Sequence, residues 1–199
     1  GGVVGAFEVN GTVFASRVVH PLMAHSPTPG ILELFSAGFP TTTFGADALG
    51  RVRAGEITAT LSYTFVRARE HPGVGVPRRD VPMTPRHAAG LVTVWEREDR
   101  GRVGFEYYYT GRQPVLENPY RGFSPAYSII GAIGEWHLGP ARVFLNLENI
   151  GNTRLTHVHP FVRPTRGDGG RWTVDAWGPL DGRVVNGGVR LSFTAVDPD

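Results

Sequence analysis

The sequence has neither cysteine nor lysine among its 199 residues. Without cysteine, disulfides and thiolate metal sites cannot form. Its 20 basic residues, all arginine, nearly balance 18 acidic ones, so the formal net charge is only +2. Such a small charge does not favour a nucleic-acid partner. No run of about 18 apolar residues occurs, which excludes a transmembrane helix but not a membrane strand, because a strand needs apolar residues only at alternate positions.

Catalytic signatures are also missing. The sequence contains no G-x-S-x-G nucleophile motif, no H-E-x-x-H zinc motif and no phosphate-binding P-loop. We therefore expect that the protein is not an enzyme and that it requires no cofactor or metal.

The residues that are abundant favour strands. Gly (27) and Pro (16) are frequent, and β-branched and aromatic residues dominate the apolar stretches. In residues 56–68, apolar side chains from Ile57 to Phe65 alternate with polar ones from Glu56 to Thr64, as in a strand with one apolar and one polar face. Segments 101–112, 141–149 and 182–193 alternate in the same way. Weaker patterns bring the predicted total to about nine strands, at 1–9, 12–20, within 31–52, 86–97 and 124–137.

The connections between these strands alternate between short and long. Tight turns are predicted at Asn10-Gly11, 53–55, 98–100 and 138–140. Longer loops are predicted at 21–30, 69–85, 113–123 and 150–181. In an up-and-down antiparallel sheet every second connection lies at the same end, so one end carries the tight turns and the other the long loops. This arrangement is typical of outer-membrane barrels.

The predicted fold class is therefore all-β, an antiparallel up-and-down transmembrane β-barrel. About nine strands do not close such a barrel, because single-chain bacterial barrels have an even number of strands. An open sheet in lipid would leave two edges of unpaired N–H and C=O groups. We therefore expect the chain to be part of a larger barrel, with further strands outside residues 1–199.

Five segments resemble the C-terminal part of TonB-dependent outer-membrane receptors. The two most specific are 143–156 (VFLNLENIGNTRLT) and 177–193 (WGPLDGRVVNGGVRLSF), in this order. The others are 61–69 (LSYTFVRAR), 81–92 (VPMTPRHAAGLV) and 106–113 (EYYYTGRQ).

The resemblance implies a 22-stranded barrel with an N-terminal plug inside it. Residues 1–193 would be the C-terminal portion of the barrel domain and 194–199 a short tail, with the plug outside this chain. Phe193 would be the aromatic residue that the barrel-assembly machinery reads. The tight turns would be periplasmic and the long loops extracellular.

The function that the resemblance implies is active uptake across the outer membrane of Gram-negative cells, powered through the TonB system. The transported ligand would be a ferric siderophore or a similar small chelate. Outer-membrane lipid and lipopolysaccharide would surround the barrel. Two alternatives stay open at this point, another outer-membrane barrel such as a porin and a soluble β-rich carbohydrate-binding module.

Arginines in the predicted long loops are candidate ligand contacts, because guanidinium groups bind carboxylate or catecholate oxygens in a bidentate way. The candidates are Arg78, Arg79, Arg163 and Arg166. Acidic residues among them, such as Asp80 and Asp168, favour instead an ordinary solvated loop surface.

His157 and His159 are further candidates. If the segment is extended, their i, i+2 spacing places both on one face, where imidazoles can bind Zn, Cu or Ni. Solvated loop histidines are the favoured interpretation, and no metal site is predicted.

Aromatic residues on the apolar faces are typical of the girdles at membrane interfaces. The candidates are Tyr63, Phe65, Trp95, Tyr107, Tyr109, Trp136 and Trp177.

Overall fold

The computed structural model describes residues 6–26 and 28–192. Phe193 and the predicted tail 194–199 lie outside the described residues, as do the first five residues of the predicted strand 1–9. Within the described ranges no helix is long and apolar enough to cross a membrane. The only helical elements there are two three-residue 3-10 turns, Leu155–His157 and Asp168–Gly170.

Eight long strands form one antiparallel sheet in the order β1-β4-β5-β7-β8-β9-β10-β11. A two-residue strand, β6, pairs with the end of β5, and β2 and β3 form a separate hairpin. The strands are β1 (Ala6–Val18), β2 (Leu22–His25), β3 (Glu33–Ser36), β4 (Thr41–Ala54), β5 (Ile57–Glu70), β6 (Arg79–Asp80), β7 (His87–Arg97), β8 (Gly101–Thr110), β9 (Tyr127–Leu138), β10 (Ala141–Glu148) and β11 (Val184–Leu191).

The pairing register puts the apolar sides of all eight strands on one face of the sheet, including the sides predicted for 56–68, 101–112, 141–149 and 182–193. Leu61, for example, is paired with Gly50 on one side and with Leu91 on the other, and Leu91 is paired with Tyr107. Residues paired across neighbouring strands lie on the same face of the sheet. Because side chains alternate along a strand, one such pair fixes the face of all residues in both strands. We call this side the apolar face. Its larger side chains are Phe7, Val9, Val13, Phe44, Val52, Ile57, Leu61, Tyr63, Phe65, Leu91, Trp95, Val103, Phe105, Tyr107, Tyr109, Ile130, Trp136, Val143, Leu145, Leu147, Val185, Val189 and Leu191.

The apolar face is exposed rather than covered by other parts of the described chain. Val13 is 86% exposed, Leu61 57% and Val185 66%. A continuous apolar surface across eight strands is far larger than a soluble monomer tolerates, whereas it is what a bilayer requires. This surface disfavours the soluble carbohydrate-binding alternative.

The opposite side, the polar face, carries most of the charged strand residues near the tight turns. Arg102 and Glu135 face each other there at 3.6 Å, and His137 lies 3.4 Å from Glu135. An open cavity of about 910 Å³ lies over this region and is lined by both signs of charge. The two faces therefore differ as the outside and inside of a barrel wall differ.

The predicted sorting of short and long connections is confirmed, with three of the four predicted tight turns in place. Tight turns join β4 to β5, β7 to β8 and β9 to β10, and long connections join the remaining neighbours in the sheet. Gly55 and Gly139 supply the left-handed conformation in two of these turns, with φ of 59° and 62°. All tight turns consequently lie at one end of the sheet and all long loops at the other.

Three sequence predictions were wrong in detail. Asn10-Gly11 forms no hairpin, because β1 runs straight through it and pairs with β4 at Leu49 and Ala48. The predicted strands 1–9 and 12–20 are thus one strand in their described part, and the piece within 31–52 divides into β3 and β4. The predicted loop 21–30 contains β2. Asn-Gly favours a tight turn locally, but thirteen residue pairs between β1 and β4 stabilise the continuous strand instead.

The sheet is open in the part of the chain that the structure describes. β1 and β11 each pair along one edge only. Their outer edges carry backbone groups that need partners in an apolar environment.

We expect Leu61→Arg to weaken folding into a membrane by about 2–4 kcal/mol, the cost of a cation near the bilayer midplane on a barrel's lipid face. Thr60→Arg, one residue away on the polar face, is the matched control and should cost far less. Reversible denaturation of the intact protein in lipid vesicles measures both. Equal losses for the two variants would contradict the assignment of faces.

Candidate site at the long-loop end

The two C-terminal long loops pack together into a small core of their own. Leu155, from the loop between β10 and β11, is fully buried, and Trp177 of the same loop is 3% exposed. Val115 comes from the loop between β8 and β9, and Tyr127 and Phe161 pack against this cluster. Trp177 is thus a loop-core residue and does not belong to the aromatic girdle proposed from the sequence.

Buried hydrogen bonds tie this core to the sheet. Gln113 Nε2 donates to the carbonyl of Trp177 at 2.9 Å. Asn149, which has a left-handed φ of 48° at the end of β10, accepts from Thr153 N and donates to the carbonyl of Thr153, both at 2.9 Å. Its amide also reaches the carbonyl of Asp181 at 3.2 Å, so one side chain closes both ends of the loop of residues 149–183.

His159 is part of the same core. Trp177 Nε1 donates to His159 Nε2 at 3.0 Å, and the other ring nitrogen lies 2.9 Å from the carbonyl of Pro160. These bonds select the neutral tautomer with its proton on Nδ1. The ring also stacks on Tyr120 with centroids 5.0 Å apart, which links the two loops.

The loop between β5 and β7 is held by ion pairs. In β6, Arg79 pairs with Glu70 at 2.7 Å, and Asp80 lies 3.5 Å from Arg69. Arg86 also binds Asp80, at 2.6 Å. The hydrogen bond and charge of Arg86, followed by those of Arg69, outweigh the opposing effect of burial and hold the pKa of the Asp80 carboxyl below its ordinary value.

Between these loops lies an open cavity of about 730 Å³. Four arginines line it and only one carboxylate, that of Asp80, which is already paired with Arg86. Tyr109, Phe123 and Ser124 also lie on its wall. The cavity is therefore cationic and partly aromatic, a combination that suits an anionic ligand with flat groups. The lining arginines are Arg67, Arg86, Arg112 and Arg121.

Two of these arginines have notable surroundings. The Arg112 guanidinium lies over the ring of Phe123, 4.5 Å from its centroid. Arg121 Nε is enclosed without a hydrogen-bond partner among the described residues. A donor left in this state gains a full hydrogen bond when a ligand oxygen reaches it.

The arginines predicted from the sequence do not line this cavity. Arg79 is paired with Glu70, and Arg78 donates to Thr42 Oγ1. Arg163 donates to the carbonyl of Glu117, while exposed Arg166 stacks on Trp172 at 5.2 Å.

The predicted histidines occupy different environments. His157 is exposed and His159 is buried. The segment that contains them forms a 3-10 turn at Leu155–His157. The prediction that both histidines lie on one face required an extended segment, so it does not apply. Within the described ranges no group of three or more His, Asp or Glu residues could hold a metal ion.

The four cavity arginines were not singled out from the sequence. Arg67 follows Phe65 at the end of the alternation in β5, and Arg86 directly precedes β7. Continuing the period-two pattern beyond the last apolar residue would have drawn attention to Arg67. Arg112 and Arg121 have no such signal, because only the folding of the loop between β8 and β9 brings them near β5.

No protein-family model and no curated protein matches this chain. Solved structures do match. The ferric-catecholate import receptor Fiu from E. coli K12 has a TM-score of 0.62 at 16% identity, and the match covers 94% of this chain and 25% of that one. The FrpB iron transporter from Neisseria meningitidis, F3-3 variant, has a TM-score of 0.58 at 18% identity over 92% of this chain and 28% of its own.

At these identities the matches show the fold. The antiparallel sheet corresponds to part of the barrel of TonB-dependent receptors, so the predicted fold class and the resemblance found in the sequence are confirmed at that level. The chain spans about a quarter of the length of the receptors that it matches. The compared proteins are transporters and receptors, not enzymes.

We expect Leu155→Ala to release the two-loop core while leaving the sheet intact. Removing a fully buried leucine costs about 2–5 kcal/mol, so amide exchange in the loop should accelerate by roughly 30-fold or more. The Val158 and Val174 amides, which bond to the carbonyls of Leu155 and Phe161, are the probes. Val162→Ala, at an exposed site in the same loop, should change exchange little. Unchanged exchange in Leu155→Ala would show that the core does not hold the loops.

Proposed function

We propose that this chain is a C-terminal part of the barrel wall of a TonB-dependent outer-membrane receptor that imports a ferric chelate. The observation that carries the proposal is the two-faced sheet, with an exposed apolar face and with all long loops at one end. The structural similarity to an import receptor for ferric catecholates and to an iron transporter supports it.

In this proposal, residues 6–192 supply eight strands of the wall and three or more ligand-facing loops. Strands from elsewhere in the polypeptide pair with the outer edges of β1 and β11 and satisfy their backbone groups. Residues 1–193 belong to the barrel domain, Phe193 is the assembly signal and 194–199 form a tail. The plug and the segment that contacts TonB lie outside this chain.

The cationic cavity would contribute to ligand capture at the extracellular end. Ferric chelates with carboxylate or catecholate oxygens carry negative charge, and guanidinium groups bind such oxygens through paired hydrogen bonds. The ring of Phe123 would pack against flat ligand groups. The loops that carried the sequence candidates Arg163, Arg166 and His157 would surround the bound chelate.

The proposal requires chelate uptake by the intact protein that contains this chain. Cells that express it should take up radioactive iron from a ferric catecholate, and uptake should stop when the TonB system is inactivated. Arg121→Gln should weaken chelate binding roughly tenfold or more, because a charge-assisted hydrogen bond contributes about 1.5–3 kcal/mol. Arg100→Gln, at an exposed site in a tight turn at the opposite end of the sheet, is the control with the same charge change.

The outcomes test the receptor assignment and the position of the ligand site separately. Uptake that does not need TonB would overturn the receptor assignment. TonB-dependent uptake with equal affinities for wild type, Arg121→Gln and Arg100→Gln would leave the receptor assignment standing and move the ligand site away from this cavity.

A further inference from the structure

The loop between β8 and β9 has two sides with different contacts. One side faces the cationic cavity, because eight of the sixteen residues that line the cavity, Arg112 and Arg121 among them, lie within 111–126. The other side packs against the loop of residues 149–183 through Val115, which belongs to the buried core of that loop. We call residues 111–126 the cavity wall and residues 149–183 the last loop.

The cavity wall is built as a short hairpin. Ser124 N donates to the carbonyl of Gln113 at 2.9 Å, and Gln113 N donates to Ser124 Oγ at 3.1 Å. Pro114 and Phe123 form the next antiparallel bridge. Because these bonds connect the two arms of the hairpin, a shift on its packed side also moves the side chains that face the cavity.

Two contacts join the cavity wall to the last loop. Gln113, which is only 4% exposed, donates from Nε2 to the carbonyl of Trp177 at 2.9 Å. Nearer the tip of the hairpin, the Tyr120 ring stacks on His159, and its hydroxyl donates to the carbonyl of Val162 at 2.6 Å. The wall is therefore held against the last loop at its base and near its tip.

These two anchor residues adjoin the arginines that face the cavity. Arg112 directly precedes Gln113, and Arg121 directly follows Tyr120. In its described part the last loop contributes no residue to the cavity lining. Its effect on the two arginines consequently passes through the cavity wall.

We propose that Gln113 and Tyr120 are positioning residues for the chelate, and that through them the cavity wall and the last loop open and close as one unit. A ligand that binds only the closed form stabilises that form by mass action. Chelate binding to the wall then also closes the last loop, and loosening the last loop weakens chelate binding, since coupling between two sites is reciprocal. The inference rests on the proposed function for the identity of the ligand.

Amide exchange in the intact protein without ligand tests the shared opening. The probes are the Val115 and Ser124 amides of the cavity wall and the Val158 and Val174 amides of the last loop, all hydrogen-bonded to loop carbonyls. Asn149→Gly removes the side chain that closes the ends of the last loop and keeps the left-handed backbone free of strain.

This substitution should accelerate exchange about tenfold at all four amides, because the lost hydrogen bonds stabilise a unit that includes the wall. The Val76 amide, which donates to the carbonyl of Gly73 in the loop between β5 and β7, is the internal control and should not change. Acceleration confined to the last loop would overturn the proposal.

A second experiment adds the iron(III) complex of 2,3-dihydroxybenzoate at about 100 times the dissociation constant of each variant. In wild type, exchange should slow by up to about 100-fold in both the cavity wall and the last loop. In Gln113→Ala/Tyr120→Ala, the wall should still be protected by the complex, whereas the last loop should exchange as it does without ligand.

Asn146→Ala/Tyr107→Ala is the matched control, because it also truncates an amide and a tyrosine that are hydrogen-bonded, here to Glu148 and Ser128 in the strands. It should keep the protection of both loops. Heat-modifiable gel mobility checks that each variant forms a barrel.

The outcomes distinguish this inference from the proposed function. Protection of the last loop that persists in Gln113→Ala/Tyr120→Ala would show that the ligand contacts this loop directly and would overturn the positioning role. Protection confined to the wall in wild type would also overturn it. A wild type that does not bind the iron complex would contradict the proposed function, and the ligand-free exchange would still decide whether the two loops open together.

Discussion

Hydrogen bonding between neighbouring antiparallel strands is the constraint on which the rest of the structure depends. It fixes the register, and the register decides which side chains share a face. From Phe7–Val52 at one edge to Ala141–Leu191 at the other, the pairs on the apolar face keep one parity across all eight strands. A shift of one residue in any strand would bring the charged side chains of that strand into the exposed apolar face.

The antiparallel pairing of neighbouring strands also explains why the two ends of the sheet differ. Once the strands run up and down without a crossover, tight turns collect at one end and long loops at the other. The long loops then have enough chain to build their own core around Leu155 and Trp177, and the arginines at the strand ends are left between that core and the outer rim. Arg67 of the cationic cavity lies where the apolar alternation of β5 stops.

Much of the sheet could be predicted from the sequence, because alternation at period two is a local property of segments such as 57–65. Features that depend on contacts between distant segments of the sequence could not be predicted. Asn10-Gly11 is a strong turn signal by itself, and only its pairing with Leu49 and Ala48 shows that the strand continues. The cavity depends on Arg67 and Arg121, which lie 54 positions apart in the sequence and meet only through loop folding. His157 and His159 looked equivalent in the sequence, but a 3-10 turn exposes one and buries the other.

The central claim is that the apolar face of this sheet contacts lipid while its polar face does not. A nitroxide scan along residues 57–66 of the intact protein in bilayers measures it directly, through collision with oxygen, which concentrates in lipid, and with a water-soluble nickel chelate. The account predicts oxygen accessibility that peaks at 57, 59, 61, 63 and 65, with low values at the residues between them. Uniform accessibility, or maxima at the even positions, would contradict it.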